Sequence, residues 1–475
     1  MIQGTMNKTI LLVLIFGFAM LVTPSATAQL TCSPAPCVTA NIEVANGGVA
    51  STIATYALAA DPTSPSNLAV AANDLVNMSS CFGAGSHASW TGLFLSNTQA
   101  GSWSGGCQPP SGGDNSPNFG PIAVYDSHGN LFSGQLGTFG VWLQENGGTF
   151  FPTFGFTDAG TVDFYNYDFP GIAIDNKDCL WITAWEFGSR VSNHKPVSAI
   201  AVGHACAPYT SWKAVRVSGL IAAPKAAYYP RVSVGGDGTI LVTWAQNNGG
   251  NSQNIFAATS SDGGATWTPP TQVFTIPETS PATCSNNPQP DRALPHTCVR
   301  MFYYPVLAST YSAGTAQVYH AVYPNHGANG KITIDYVLSV TDGATFTPPE
   351  ILSKVAGDTA ATGDQFQPCI ATSGQKIGFA WLDTRNSPAG SPDSLYDAYA
   401  MTATVSPGAG GPQIAFSPVH RLSTQSSSTT VETQPNSEYL GDWTGCAWQN
   451  GIFYYAFPST ANGTHQVAMI AGLNP

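Results

Sequence analysis

Residues Pro230–Trp267, PRVSVGGDGTILVTWAQNNGGNSQNIFAATSSDGGATW, carry the reading of the whole chain. Pro230–Val234 alternates apolar and polar residues and runs into Gly235-Gly236-Asp237-Gly238. Extended runs follow at Thr239–Trp244 and Asn254–Ser260, separated by an Asn/Gly-rich stretch, and a fourth follows at Thr271–Ile276. Period-2 runs punctuated by Gly, Asp and Asn read as antiparallel strands joined by tight turns. Four such runs in succession predict one small meandering sheet.

The octapeptide Ser260–Trp267 has the form Ser-x-Asp-x-Gly-x-Thr-Trp. An Asp in this place accepts hydrogen bonds from backbone N–H groups further along. Glycine supplies backbone angles closed to other residues, and Trp offers a broad apolar plate to a neighbouring sheet. On Ser260, Asp262, Gly264, Thr266 and Trp267 the stretch resembles the Asp box of the sialidase superfamily, the BNR repeat. The resemblance implies a structural turn between the third and fourth strands of a propeller blade, on the face away from an active site. Two echoes follow the same frame. Ser339–Phe346 has Thr341 in the Asp position and is followed by Thr-Pro-Pro, as Ser260–Trp267 is. Ser96–Trp103 has Thr98 there.

Repetition organises the rest. Units open near Asn67, Pro121, Pro170, Pro230, Pro305, Pro368 and Gly445, and the best-matched second strands are Trp181–Trp185, Ile240–Trp244 and Ile377–Trp381. A four-stranded sheet cannot bury both its faces alone; radial packing covers them and leaves short edges. The expectation is an all-β chain, a β-propeller of seven blades, with six if one unit is an insertion. Blade one is placed at Ser66 to about Gly105. The last unit shows three strands, so the ring is expected to be closed by an N-terminal strand, either Thr39–Val44 or Ile53–Leu58. Residues 29–475 are read as a single domain.

Residues 1–28 read as a secretory signal: Lys8, an apolar run Ile10–Val22, and Ala26-Thr27-Ala28 as a cleavage site. Export to the periplasm or the medium is therefore expected. Charged residues make up only 9% of the chain, against about 25% in an average soluble protein. The aromatic content of 11% argues for a packed chain and against disorder. A net charge of −12 with 15 basic residues makes nucleic acid an improbable partner, and after the signal no stretch is long and apolar enough to insert in a membrane. Ten cysteines in an exported chain point to disulfides. Nearest-neighbour pairing gives Cys32–Cys37, Cys81–Cys107, Cys179–Cys206, Cys284–Cys298 and Cys369–Cys446. The last pair occupies matching places in successive inner strands.

The scarce ionic residues gather in loops after second strands and between blades. They are Glu186, Arg190, His194 and Lys195; Arg231 beside Tyr229; Asp291, Arg292 and Arg300; Asp383, Arg385, Asp393 and Asp397; and Glu438 to Trp443. Arginine forks bind carboxylates, so Arg190, Arg231, Arg300 and Arg385 are the candidate ligand-binding residues. Asp383, Glu186 and Tyr229 are the catalytic candidates, a carboxyl being able to serve as general acid. The competing reading makes Asp383 the partner of Arg385 within its own loop. No cofactor is called for; calcium on Asp383, Asp393 and Asp397 is the one metal considered, in a spacing unlike an EF-hand.

The sialidase resemblance implies three arginines around a substrate carboxylate, the first in a Phe/Tyr-Arg-Ile-Pro motif near the start. This chain has no such motif, and its first arginine is Arg190. The expected function is thus a secreted propeller that binds extracellular glycans or a surface protein. The alternative is a glycoside hydrolase of sialidase-like type. Arg231, Arg300 and Arg385 are expected to converge with Asp383 and Glu186.

Overall fold

The computed structural model describes residues 29–45, 53–74, 91–109, 119–137, 140–154, 162–190, 193–247, 252–277, 293–294, 297, 299–311, 317–327, 330–359, 361–388, 395–431 and 439–475. The segment read as a signal, residues 1–28, lies outside them.

Seven antiparallel sheets form a β-propeller, with helix limited to one turn at Leu352–Val355 among the described residues. Each blade is a meander whose first strand lies innermost. Blade four runs Ala226–Val234, Ile240–Asn247, Ser252–Ser260 and Thr271–Pro277. The innermost strands of the other six are Ile53–Ala60, Ile122–Tyr125, Val162–Ile174, Val306–Thr310, Gln365–Ser373 and Gly445–Gln449. Apolar residues from both faces of these sheets fill the spaces between blades. Trp181, Trp244 and Trp381, at or near the second-strand positions matched in sequence, are fully buried.

Blade one begins one strand earlier than its sequence suggests. Ile53–Ala60 is its innermost strand and pairs with Leu68–Asp74. The strand IATYALAA is buried along most of its length and so lacks the polar alternation that marks a half-exposed strand. It is therefore unavailable for ring closure. Ile42–Ala45, within the other candidate stretch, pairs with Val467–Asn474 of blade seven, and Cys37–Val38 adds to the same edge. N-terminal chain thus completes the blade built from the C-terminal residues.

The turn at Ser260 has a full set of hydrogen bonds. Thr266 donates from its backbone N–H to Asp262 at 2.9 Å and from its hydroxyl at 2.5 Å. Gly264 N–H donates to Ser260 Oγ at 2.9 Å. Gly264 has φ +81°, and a Cβ there would lie 2.8 Å from the Trp181 ring. In the turn at Ser339, Thr341 Oγ1 takes the place of the carboxylate and accepts from Thr345 N–H at 3.0 Å. In the turn at Ser96, Thr98 Oγ1 accepts from Ser102 N–H at 2.8 Å. One side-chain oxygen, carboxylate or hydroxyl, suffices to hold the turn.

Three disulfides fall within the described residues: Cys32–Cys37, Cys179–Cys206 and Cys369–Cys446. The last ties the innermost strands of blades six and seven. Cys81, Cys284 and Cys298 lie outside the described residues, and with them the other two expected pairings. These bridges suit an oxidising compartment, and no helix among the described residues is long and apolar enough to cross a membrane.

Candidate functional site

A feature repeated in the innermost strands builds the centre of the molecule. Thr55, Phe169, Tyr229 and Gln367 all have positive φ, at 53°, 50°, 55° and 48°. At each the register slips by a bulge: between Ala54 and Tyr56, Asp168 and Gly171, Tyr228 and Arg231, and Phe366 and Cys369. In three of the four the next residue is proline, which has no N–H to lose from the ladder and is at home in a bulge. Left-handed backbone at non-glycine residues costs about 1–3 kcal/mol each and persists where the surroundings hold it.

At these bulges the side chains meet around the axis. Phe169 packs edge-on against Tyr229 at 4.4 Å and Phe302 at 5.0 Å between ring centroids. Tyr229 lies 5.7 Å from Tyr304, and Phe169 lies 5.4 Å from Trp443. Thr55 Oγ1 accepts from Asp442 N–H at 2.9 Å, and Gln367 donates to the Gly441 carbonyl at 2.5 Å. A Cβ on Gly441 would lie 2.4 Å from Thr55 N, so only glycine allows this approach. The mouth of the ring is thus a knot of aromatic rings contributed by blades three and four and by the connections that lead into blades five and seven.

Two arginines stand in this knot. Arg300 lies over Phe302 at 4.6 Å and Tyr439 at 5.4 Å, and its Nη2 is 3.2 Å from Asp442 Oδ1. Burial opposes its charge, but Asp442, Tyr439 and Asp168 more than offset this and hold it firmly protonated. Arg231 lies between Tyr304, at 4.5 Å, and Trp443, at 5.2 Å. It donates to its neighbour's carbonyl, Pro230 O, at 2.9 Å, and no described carboxylate pairs with it. Burial raises the pKa of Tyr304, with Arg231 acting against it. Below Arg231 an axial cavity of about 190 Å³ is walled by innermost strands of all seven blades. Among the described residues Arg231 is the one charged side chain in that wall, and the Cys369–Cys446 bridge forms part of it.

The remaining expected residues lie elsewhere. Arg385 pairs with Asp383 and Asp358, both at 2.6 Å, and its guanidinium lies 4.0 Å from the Tyr399 ring centroid. Burial opposes its charge and the two carboxylates raise its pKa. Glu186 is fully buried and pairs with Arg216 at 2.7 Å. Asp397 is held by Arg421, Ser423 and Asn386. Arg385, Asp383 and Glu186 are therefore engaged in ion pairs of their own, while Arg231, Arg300 and Tyr229 come together. Arg190 lies exposed at the tip of the blade-three hairpin, with His194 and Lys195. No cluster of three or more metal-ligating side chains occurs among the described residues; Asp291, Arg292, Asp393 and Glu438 lie outside them.

Sequence reading passed over Phe169 and Phe302 as axial residues, while Trp443 lies in the Glu438 to Trp443 stretch it placed on this face. A signal for two bulge positions was present: a bulky residue directly before the unit-opening proline, in Phe169-Pro170 and Tyr229-Pro230.

No family model and no curated protein sequence matches the chain. Among solved structures, the polysaccharide lyase Uly1 aligns at 11% identity, covering 95% of each chain, with a TM-score of 0.48. A protein of unknown function from Dyadobacter fermentans aligns at 12% identity over 77% of this chain and 99% of its own, with a TM-score of 0.46. The intramolecular trans-sialidase of Ruminococcus gnavus aligns at 9% identity over 91% and 96%, with a TM-score of 0.43. At this identity and superposition none of them lends the chain a function.

Proposed function

We propose that this propeller binds extracellular carbohydrate at its axial mouth, and that the sugar it selects carries a carboxylate. The observation that carries this reading is Arg231, a guanidinium without a described carboxylate partner in a cavity wall that has no other charge among the described residues. Such a fork pairs with a planar anion through two parallel hydrogen bonds, and aromatic rings beside it suit the apolar faces of a sugar. Arg300, paired with Asp442, fixes the connection before blade seven.

Binding is favoured over hydrolysis. A glycosidase needs a carboxyl group that keeps its proton near neutral pH. Burial holds Asp335 and Asp342 above the ordinary carboxyl range, and both belong to blade five; the lack of an early Phe/Tyr-Arg-Ile-Pro motif, with Arg190 the first arginine, favours binding. Export from the cytosol and a single domain over residues 29–475 belong to the same proposal.

The test is calorimetry with galacturonic acid, N-acetylneuraminic acid and galactose. Wild type is expected to bind an acidic sugar and to ignore galactose. Arg231→Gln is expected to weaken binding roughly 10- to 150-fold, the equivalent of about 1.5–3 kcal/mol for a charge-assisted hydrogen bond. Equal binding of acidic and neutral sugars, or an unaffected Arg231→Gln variant, would overturn the reading. Turnover of fluorogenic glycosides by the wild type would restore the hydrolase alternative.

A further inference from the structure

Beside the mouth lies a groove of about 440 Å³ between blades three and four. Trp185 and Phe187, two apart on the second strand of blade three, point to the same face and form one wall. Tyr228 forms the other, and Pro196, Pro224 and Lys225 form the rim. Trp185 meets Phe187 at 4.5 Å with planes 32° apart, and Tyr228 at 4.9 Å with planes 68° apart. The three rings are half-buried, so each gives part of a face to solvent. The volume lies in the usual range for a ligand pocket.

Two observations say what enters it. The first is continuity. Trp185 lies 6.4 Å from Tyr229, and Tyr229 packs on Tyr304, whose ring carries Arg231. A line of aromatic rings thus runs from the groove to the axial arginine. The second is charge. On a chain of net charge −12, the exposed cations Lys225, Lys195 and Arg190 stand on the groove's rim and on the hairpin that flanks it. Glu186, the carboxylate between Trp185 and Phe187, is fully buried and bound to Arg216.

We infer that this groove is a second subsite, holding the sugar rings that follow the anchored one in an acidic oligosaccharide. The inference rests on the reading of Arg231 as anchor. Sugar rings stack on the aromatic walls, and the carboxylates of a repeating acidic chain face the rim cations. A proline-rich peptide also docks in aromatic grooves, but it offers nothing to those cations.

The experiment measures affinity against chain length, using galacturonic acid from monomer to hexamer and a parallel ladder of hyaluronan oligosaccharides. Wild type, Arg231→Gln, Phe187→Ala and Lys225→Glu are compared, with circular dichroism as the check on folding. The trimer is expected to bind wild type at least tenfold more tightly than the monomer. Phe187→Ala and Lys225→Glu are expected to abolish or reduce that gain and to leave monomer affinity unchanged. Lys225 is exposed, so its variant reports even if Phe187→Ala misfolds. Monomer binding with no gain on lengthening overturns the groove and leaves the axial reading standing. Oligomer binding that depends on Phe187 and Lys225 but not on Arg231 supports the groove and overturns the axial anchor. No binding at any length in either ladder overturns both. Displacement of the hexamer by a polyproline peptide also overturns the assignment of the groove to sugar.

Discussion

Removing the bridge between blades six and seven measures how much covalent closure contributes to this ring. In the Cys369→Ala/Cys446→Ala double variant the native contacts change little, but the unfolded chain gains the freedom of a 77-residue loop. Chain entropy puts the loss at about 4.5 kcal/mol at 25 °C. The same relation gives about 3.5 kcal/mol for Cys179–Cys206, separated by 27 residues, and about 2 kcal/mol for Cys32–Cys37, separated by 5. Unfolding entropy scales with length, so for 475 residues the largest loss corresponds to a fall in Tm of roughly 4–5 °C. Calorimetry on the three double variants under oxidising conditions reads the order directly. A Cys32/Cys37 variant as damaged as the Cys369/Cys446 variant would refute the loop-entropy reasoning. It would mean that native packing at the N-terminal edge strand, not unfolded-state freedom, sets the cost.

Three further outcomes are expected. Arg385→Ala leaves Asp383 buried without its cation, so stability should fall by about 3–5 kcal/mol in denaturant titration, while sugar affinity stays within a few-fold; a large loss of affinity in a stable variant would return Arg385 to the binding site. His320 is buried between Thr310 and Tyr336 and its imidazole is pushed down to about 3. Its unfolded form takes up a proton near 6.5 and its folded form only near 3, so this residue removes stability as pH falls through that window; denaturation midpoints from pH 7 to 4 should drop less in His320→Gln, and parallel curves would refute the assignment. Asp262 is held down to about 2, mainly by the Thr266 hydroxyl and backbone N–H. Its contribution is complete above its ordinary value of 3.8 and is lost as pH falls toward 2, so the deficit of Asp262→Ala should be full at pH 5 and vanish near pH 2. A deficit unchanged with pH would assign the effect to something other than the carboxylate.

Strand alternation, Gly/Asp turn chemistry and the unit-opening prolines act over a few residues. They were enough to read seven blades and the hydrogen-bonded turn at Ser260, and the matched inner strands of blades six and seven to read the pair Cys369–Cys446. Blade one was read a strand late because Ile53–Ala60 is apolar on both faces and carries no period. The pair of Arg385 with Asp383 was legible as the competing reading of that loop; the other ion pairs were beyond local reading, because they join residues brought together from far apart. Arg385 finds Asp358, 27 positions away, and Arg216 finds Glu186, 30 positions away. Folding of each blade consumed these charges and left Arg231 facing the axis among aromatic rings. Sequence alone determined what each blade is made of. The tertiary structure decided which ionic groups remain for a ligand, because partners for a charge are chosen between strands and loops far apart in sequence, where no local pattern reaches.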